Sequence, residues 1–288
     1  MAVDEQNKKR KPSWLKVTAF GGSDFNRVSS LLKTYGLNTV CQEANCPNRG
    51  ECFNRGTATF LILGPLCTRN CRFCDVRPGR PPQPDPDEPY RVAEAARQLA
   101  LTYVVVTSVT RDDLPDGGAG QFAATIRAIR EALPKSRVEV LTPDFKGVVR
   151  ALDIVMAAKP DVFNHNLETV PRLYADVRPG ADYRRSLKLL SDARLRFGAM
   201  TKSGVMVGLG ETSEELQKVF DDLAANHVSL LTIGQYLSPS KDHLPVERYV
   251  HPEEFDTLAE MAKSSGIKKV FSAPLVRSSY HADEQSAD

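Results

Sequence analysis

All six cysteines of this chain lie within its first 74 residues, in two consecutive groups of three. In chain order they are Cys41, Cys46, Cys52, Cys67, Cys71 and Cys74. Three thiolates can hold three corners of a 4Fe–4S cube and leave the fourth iron open to another ligand. Two groups of three therefore predict two iron–sulfur sites, with a different cysteine spacing in each.

Two other uses of six cysteines fit this chain less well. Disulfide frameworks staple small secreted domains, whereas residues 75–288 contain no cysteine. A zinc site needs four ligands, commonly in Cys-x2-Cys or Cys–His pairs, and each group here is one thiolate short. All five histidines lie far downstream of both groups. The pattern therefore favours iron–sulfur clusters over zinc.

Composition narrows the function classes. The chain carries 38 basic and 36 acidic side chains, a net charge of +2, which predicts no nucleic-acid partner. No apolar run reaches the ~18–20 residues that a membrane span needs, and the N-terminus lacks an apolar signal-peptide core. With no sign of secretion, we expect free thiols in a reducing cytoplasm. Hydrophobic residues make up 41% of the chain, enough for a sizeable core.

The elements that must position the cysteines follow from an alternation of apolar runs and helical periodicity. Apolar strands separated by amphipathic helices indicate βαβ units and a parallel sheet covered on both faces. Six or seven such units predict an α/β fold: a partial (β/α)6 barrel, similar to a TIM barrel, with extensions at both ends. The predicted strands are 59–63, 103–107, 137–141, 161–165, 203–208, 230–233 and 269–272. The predicted helices are 27–35, 90–100, 119–133, 148–158, 182–195, 213–225 and 252–264.

The predicted barrel divides the chain into three parts. We expect an N-terminal extension at 1–58 that carries the first cysteine group, the barrel at 59–275, and a C-terminal segment at 276–288. In barrels of this kind the chemistry lies at the carboxyl ends of the strands. The second cysteine group follows the first predicted strand, so we expect it on that face.

The second cysteine group resembles the radical S-adenosylmethionine superfamily, since it reads Cys67-x3-Cys71-x-Phe73-Cys74 in a loop after the first barrel strand. The resemblance implies that the open iron chelates the amino and carboxylate groups of S-adenosylmethionine. An electron from the cluster would then release a 5′-deoxyadenosyl radical. The resemblance also implies that Phe73 packs near the adenine.

A glycine-rich strand supports the same resemblance. Residues 202–211 (KSGVMVGLGE) match the superfamily's Gly-x-Ile-x-Gly-x-x-Glu pattern, which supports the adenine side of the cofactor. Thr-Ser-Val stands where the superfamily often has Gly-Gly-Glu, so we expect the threonine and serine to contact the methionyl amine. Polar groups after the fourth barrel strand are candidates for the ribose hydroxyls. Besides Phe73, the predicted cofactor-binding residues are Thr107, Ser108, Asn166, Glu168, Lys202, Gly208 and Glu211.

The first cysteine group, together with the sequence RSSY at 277–280, resembles the lipoyl synthase family. The similarity extends from about residue 14 to the end of the chain. It implies that the first cysteine group holds an auxiliary 4Fe–4S cluster and that Ser278 binds its fourth iron. A serine alkoxide holds iron less firmly than a thiolate, which suits a cluster that is consumed. Without the resemblance these serines would be interpreted as a surface turn, and Ser279 is the alternative ligand to exclude.

The resemblance implies a sulfurtransferase reaction. Its substrate is an octanoyl chain in amide linkage to a lysine of a lipoyl carrier domain, on E2 subunits of 2-oxoacid dehydrogenases or the glycine cleavage H protein. Radicals formed at C6 and then C8 take sulfur from the auxiliary cluster, so the second cysteine group and Ser278 are the expected catalytic residues. The implied cofactors are two 4Fe–4S clusters and S-adenosylmethionine. Implied partners are a low-potential electron donor and an iron–sulfur carrier that rebuilds the cluster, and we expect a monomer.

Two other functions remain open from the residues alone. Radical enzymes with auxiliary clusters also perform methylthiolation, peptide thioether formation or dehydrogenation, usually with the extra cysteines in a separate or C-terminal module. A zinc-stabilised RNA-binding module predicts a basic face with interleaved aromatics, but aromatics are only 7% here.

The proposed substrate also explains an absence in the sequence. Aliphatic C–H groups have no useful acidity, which agrees with the lack of a convincing acid–base array. We expect residues 235–239, with Arg178 and Lys202, along the acyl path.

Overall fold

The computed structural model describes residues 11–17 and 19–286. The outer parts of two predicted segments, residues 1–10 and 287–288, therefore lie outside the described residues.

In the part of the chain that the structure describes, eight strands form one sheet whose spatial order follows the chain. The first strand is antiparallel to the second, and all later neighbours pair in parallel. Among the described residues no pairing joins the first strand to the last, so the barrel is open on one side. This confirms the predicted partial barrel. The strands are β1 (Asn38–Thr39), β2 (Thr59–Ile62), β3 (Tyr103–Ser108), β4 (Arg137–Leu141), β5 (Val162–Asn164), β6 (Met200–Val207), β7 (Leu230–Gln235) and β8 (Lys269–Ser272).

Helices alternate with β2 to β7 to give six βα units, and β8 closes the series. All seven helices predicted from periodicity are present. The helices are α1 (Ser23–Thr34), α2 (Val40–Glu43), α3 (Arg49–Asn54), α4 (Glu88–Gln98), α5 (Ala119–Ala132), α6 (Val149–Ala157), α7 (Tyr174–Val177), α8 (Tyr183–Phe197), α9 (Ser213–Ala225), α10 (Pro252–Ser264) and α11 (Ala282–Gln285). Five of the described strands and α-helices were not predicted from the sequence: the two-residue β1 and four short helices (α2, α3, α7 and α11). They are too short to show a periodic apolar face.

The apolar strand residues and the inner faces of the helices form two main cores. One lies among β2 to β5 with α1, α4, α5 and α6, and the other lies among β6 and β7 with α9 and α10. Side-chain caps fix helix starts: Thr212 and Glu215 form a reciprocal capping box at the start of α9. None of the described helices has the length and apolar character needed to cross a membrane.

Two irregular segments complete the carboxyl end of the barrel. The connection between β7 and α10 crosses the ends of the strands, where the Glu247 amide donates to the Gly208 carbonyl over 2.9 Å. After β8 the described part of the chain starts at the carboxyl ends of the strands and reaches the amino end of β4 at Ser286. There the Arg137 guanidinium donates to the Ser286 carbonyl over 2.8 Å.

Candidate functional site

The carboxyl ends of the parallel strands open onto one cavity of about 420 Å³. All six cysteines line it, although the two groups come from different parts of the chain. Six further residues predicted as catalytic or cofactor-binding also line it: Phe73, Thr107, Ser108, Asn166, Glu168 and Ser278. The structure therefore brings most of the predicted site together in one place.

The second cysteine group lies in a loop held firmly against the ends of β3 and β4. The Cys67 thiol accepts hydrogen bonds from the backbone amides of Arg69 (3.4 Å) and Thr110 (3.3 Å). The Thr68 amide and hydroxyl both donate to the Thr110 carbonyl, over 3.0 and 2.9 Å. Hydrogen bonds to cysteine sulfur are one means by which a protein tunes a cluster. These hydrogen bonds between protein groups fix the conformation of the loop.

Arg69 anchors this loop through a buried ion network. Its guanidinium binds both oxygens of Asp112, at 2.7 and 2.9 Å, and also Asp144 at 2.6 Å. Arg185 binds the other oxygen of Asp144 at 2.8 Å. Although burial alone would raise the pKa of Asp144, its hydrogen bonds and charge interactions with Arg69 lower it to about 2. Asp144 is therefore ionised at any physiological pH.

The first cysteine group is carried by two short helices. The helix α2, which contains Cys41, is capped by the Thr39 hydroxyl, which accepts a hydrogen bond from the backbone amide of Gln42 at 3.3 Å. Cys52 lies in α3, and Asn45 adopts a left-handed conformation (φ 46°) between the two helices. Asparagine is among the few residues that tolerate this conformation. This turn lets the three thiols face one region of the cavity.

The thiols fit metal binding rather than free reactivity. Burial raises the pKa of Cys41 to about 12, of Cys71 to about 11 and of Cys74 to about 12. Within each group the thiols also interact electrostatically with one another. Buried neighbouring thiols of this kind lose their protons when a metal centre compensates the charge. The residues present therefore fit two sulfur-ligated centres.

The geometry also bears on the kind of metal centre. Within the part of the chain that the structure describes, no three His, Cys, Asp or Glu side chains are placed to hold a single metal ion. Thiolates that hold a cubane bind separate irons, so they do not converge on one point. In each cysteine group, three thiols line the cavity, which is the number that a cubane with one open iron requires.

The C-terminal segment enters the cavity over two glycines of neighbouring strands. A Cβ on Gly234 would lie 2.1 Å from the Val276 carbonyl oxygen, and one on Gly204 would lie 2.8 Å from the Ser278 hydroxyl. The Asn48 side chain between the first cysteines donates to the Leu275 carbonyl at 2.7 Å. Only glycine leaves room for this approach. Ser278 is thereby placed in the same cavity as both cysteine groups.

A clasp fastens this segment to α3. The Glu51 carboxylate accepts hydrogen bonds from the Tyr280 hydroxyl at 2.9 and 3.0 Å and contacts His281 Nε2 at 2.8 Å. Arg55 reaches the same histidine and also Glu284, at 2.9 Å. Because α3 contains Cys52, the clasp ties the predicted serine ligand to the predicted cysteine ligands.

Asn166 and Glu168, predicted as ribose contacts, form a chain of hydrogen bonds with Ser278. The Ser278 hydroxyl donates to Asn166 Oδ1 at 2.7 Å, and Asn166 Nδ2 donates to Glu168 at 3.0 Å. Glu168 has a left-handed backbone (φ 68°), which its hydrogen bonds to Gly204 and Met206 of β6 maintain. Burial raises the pKa of Glu168. Strained backbone of this kind is common at functional sites.

Sequence reasoning assigned no role to His165, which lies beside these residues. Its Nδ1 contacts the Thr142 carbonyl at 2.8 Å, and because a carbonyl only accepts, Nδ1 carries the proton. Burial is the main cause that lowers its pKa, to about 4. The neutral ring therefore leaves the Nε2 lone pair without a partner among the described residues. Its position directly after β5, in the sequence VFNHNLETV, was the available signal.

Lys202 was predicted to contact the cofactor and to lie along the acyl path, and both roles require it to line the cavity. Its ammonium is fully buried and binds Glu139 at 2.9 and 3.1 Å, in an ion pair inside the barrel. The Tyr103 hydroxyl and the Asn164 amide donate to the same carboxylate. Lys202 does not line the cavity. A charge buried so deeply requires a partner, and Glu139 provides it.

Gly208 and Glu211 also lie outside the cavity wall, where they shape the turn after β6. The Glu211 carboxylate accepts from the amides of Gly208 and Leu209, at 2.6 and 2.8 Å. Gln235 likewise stays out of the cavity, because its side-chain amide donates to three backbone carbonyls. Residues 236–239 and Arg178 line the cavity, and their place along the acyl path stays a prediction.

Comparison with known proteins identifies the family. The radical SAM superfamily profile matches residues 61–223, and a profile for the N-terminal domain of lipoyl synthase matches residues 1–46. Lipoyl synthase from Methylococcus capsulatus is 59% identical over 280 residues, covering 96% of this chain and 87% of the relative. The chain belongs to the lipoyl synthase family. Lipoyl synthase from Mannheimia succiniciproducens is 54% identical over 98% of this chain and 89% of its own.

Solved structures agree on the fold. SuiB from Streptococcus suis, bound to S-adenosylmethionine, has a TM-score of 0.55 at 13% identity, covering 83% of this chain and 51% of SuiB. Methylornithine synthase has a TM-score of 0.54 at 13% identity, covering 80% of this chain and 77% of its own. Family membership makes this chain a radical S-adenosylmethionine enzyme that inserts sulfur. Its cofactors are S-adenosylmethionine and two 4Fe–4S clusters, one of them auxiliary.

Proposed function

We propose that this enzyme inserts two sulfur atoms, at C6 and C8, into an octanoyl chain in amide linkage to a lysine of a lipoyl carrier domain. One observation carries the proposal: both cysteine groups and Ser278 line the same cavity. A substrate chain in that cavity has access to a centre that starts radicals and to a source of sulfur. Family membership supports the same reaction.

The three parts of the chain have separate roles in this proposal. Cys67, Cys71 and Cys74 of the barrel (59–275) hold the cluster that binds S-adenosylmethionine. The N-terminal extension (1–58) supplies Cys41, Cys46 and Cys52, and the C-terminal segment (276–288) supplies Ser278, to hold the auxiliary cluster. When bound, these groups supply an adenosyl radical for C–H cleavage and sulfide for insertion.

Residues around the second cysteine group bind and orient S-adenosylmethionine in this proposal. Phe73 packs near the adenine, Thr107 and Ser108 contact the methionyl amine, and Asn166 and Glu168 contact the ribose. The Ser108 hydroxyl is buried without a partner among the described residues, which supports a ligand contact there. Gly208 and Glu211 act indirectly, through the turn after β6.

The acyl chain requires an apolar, water-poor path. The cavity wall includes Val109, Leu141, Val205, Met206 and Leu237. Such side chains contact methylene groups through apolar surface, and they carry no acidic or basic group. Exclusion of water by the same wall protects the intermediate from side reactions.

Partners and location are part of the proposal. The carriers are octanoylated E2 subunits of 2-oxoacid dehydrogenases and the glycine cleavage H protein, and no nucleic acid takes part. A low-potential donor supplies electrons, and an iron–sulfur carrier rebuilds the auxiliary cluster. The enzyme works in the cytoplasm as a monomer.

Mass spectrometry tests the proposed reaction. The reconstituted protein is incubated without oxygen with S-adenosylmethionine, a reductant and an octanoyl-lysyl peptide. We expect the peptide to gain two sulfur atoms. Hydrogen loss without sulfur gain would contradict the proposal and favour a dehydrogenase. A Ser279→Ala variant is the matched control for Ser278→Ala, since only the latter should stop sulfur transfer while cleavage of S-adenosylmethionine continues.

A further inference from the structure

Ser278 occupies a site built to receive a hydroxyl. Its Oγ lies 2.7 Å from Asn166 Oδ1, and the amide nitrogen of Asn166 is held by Glu168 at 3.0 Å. A Cβ on Gly204 would lie 2.8 Å from both oxygens, so only glycine at this position of β6 leaves the site open. The orientation of Asn166 is fixed, with its oxygen toward the serine.

This arrangement differs from the one in which serine binds iron. A metal ligand must give up its proton, so a serine on iron binds as the alkoxide and has no proton to donate. Here the Asn166 carbonyl only accepts, and Ser278 therefore carries its proton. The same side chain thus has two alternative partners, the auxiliary cluster and Asn166.

We propose that Asn166 is a positioning residue that receives the Ser278 hydroxyl when this serine leaves the auxiliary cluster. The inference rests on the proposed function, in which Ser278 ligates that cluster. The exchange is redox-neutral: the serine oxygen takes a proton from a water molecule, and the resulting hydroxide takes the place that the serine leaves.

The physical reason is the cost of a buried hydroxyl without a partner. Loss of one partner of a buried hydrogen bond disfavours the affected state by about tenfold or more. Without Asn166, the hydroxyl of a serine that has left the cluster would be buried without this hydrogen-bond partner. Asn166 therefore raises the fraction of protein in which the serine is off the cluster, and iron is released from that fraction.

The rate of iron loss to a chelator tests the inference without any catalytic assay. The full chain carries Cys67→Ala, Cys71→Ala and Cys74→Ala, so that only the first cysteine group holds a cluster. We expect Asn166→Ala to slow iron loss about tenfold. A purely structural role predicts the opposite sign, because a looser site releases iron faster. Unchanged or faster loss would overturn the inference.

Three further variants sharpen the test. In a Ser278→Ala background Asn166→Ala should have no effect, and an equal effect in both backgrounds would overturn the inference. The exchange variant Asn166→Asp with Glu168→Gln keeps an acceptor for the serine and the hydrogen bond between residues 166 and 168. It should restore the original rate. Thr232→Val removes a neighbouring hydroxyl that bonds the Ser203 carbonyl and should change nothing.

Metal-free protein provides an independent measurement. Hydrogen exchange at the amides of residues 276–281 should become faster, and to the same degree, in Asn166→Ala, in Ser278→Ala and in the double variant. Additive effects would contradict the contact. Absence of iron and sulfide from the first cysteine group would overturn the proposed function and the inference together. If the cluster is present but Asn166→Ala leaves its rate of iron loss unchanged, only the inference is overturned.

Discussion

The two cysteine groups line one cavity, but the protein holds them in opposite ways. The second group lies in one loop whose anchor, Arg69, has only 5% of its side chain exposed and binds a fully buried Asp144. In the proposed function, the first group depends on Ser278, which comes from the C-terminal segment. Tyr280 and Glu51, which join these parts, are 229 residues apart and Glu51 is 36% exposed.

This difference agrees with different fates for the two centres. A buried ion network rigidly fixes a loop, since breaking it leaves charges without partners. A half-exposed clasp at the end of the chain separates at low cost. In the proposed function, the radical centre is thus held so that it persists through turnover, and the auxiliary centre is held so that it can come apart.

Removal of a ligand from each centre should give the largest and most distinct effects. Cys71→Ala should reduce cleavage of S-adenosylmethionine to background, because the radical cluster loses one of three thiolates. Ser278→Ala should abolish sulfur insertion and leave cleavage within about threefold of the parent, a difference below 1 kcal/mol in barrier height. Quantification of 5′-deoxyadenosine and sulfurated peptide in the same reaction checks both. Equal loss of S-adenosylmethionine cleavage in the two variants would contradict the proposal that the two centres have separate roles.

Loss of the anchor should strongly destabilise the barrel. Arg69→Leu leaves Asp112 and Asp144 short of a buried partner, so we expect a loss of about 3 kcal/mol in the free energy of unfolding. Urea denaturation of the metal-free full chain measures it. Lys188→Ala is the control: its exposed helix pair with Asp192 should contribute less than about 0.5 kcal/mol. Similar losses in both variants would show that the Arg69 network is not an anchor.

The same network should make stability depend on pH in the acidic range. The pKa of Asp144 is about 2 in the folded chain, against about 3.9 for an unfolded aspartate. The unfolded chain therefore binds more protons as the pH falls from about 4 to 2. About 2 kcal/mol of stability, fully present above pH 4, should be lost across this window. Denaturation of the metal-free chain should show a shallower slope for Asp144→Asn, and an unchanged slope would count against the low pKa.

A weaker effect should follow from opening the clasp. Glu51→Ala removes acceptors for Tyr280 and His281 and should cost about 1 kcal/mol in docking of the C-terminal segment. Iron of the auxiliary centre should then be lost several times faster, with iron of the radical centre unaffected. Tyr280→Phe, which removes only one hydroxyl, should have a smaller effect. Faster loss from both centres would show that the clasp supports the whole cavity.

Local sequence patterns were sufficient for the barrel, and they singled out the two cysteine groups that line its cavity. A helix such as α9 has an apolar repeat that extends over several turns and records which face is buried, whereas a strand such as β4 (RVEVL) is a short run that is buried on both faces. The cysteine spacings are equally local. Lys202 shows the limit of this reasoning. It lies on the same face of β6 as Gly204 and Met206, which line the cavity, but it is nearer the amino end of the strand, so its side chain lies deeper in the barrel and binds Glu139.

What the sequence alone determined about this protein is its chemistry: two sulfur-ligated centres, the α/β barrel and the family. Only the tertiary structure decided that Ser278 meets Asn166, that Glu51 fastens the far end of the chain, and that Arg69 reaches Asp144. The reason is physical. Side-chain types and short spacings record local burial, whereas contacts between residues 75 or more positions apart, such as Arg69 with Asp144 or Ser278 with Asn166, depend on how the strands pair and where glycines leave room.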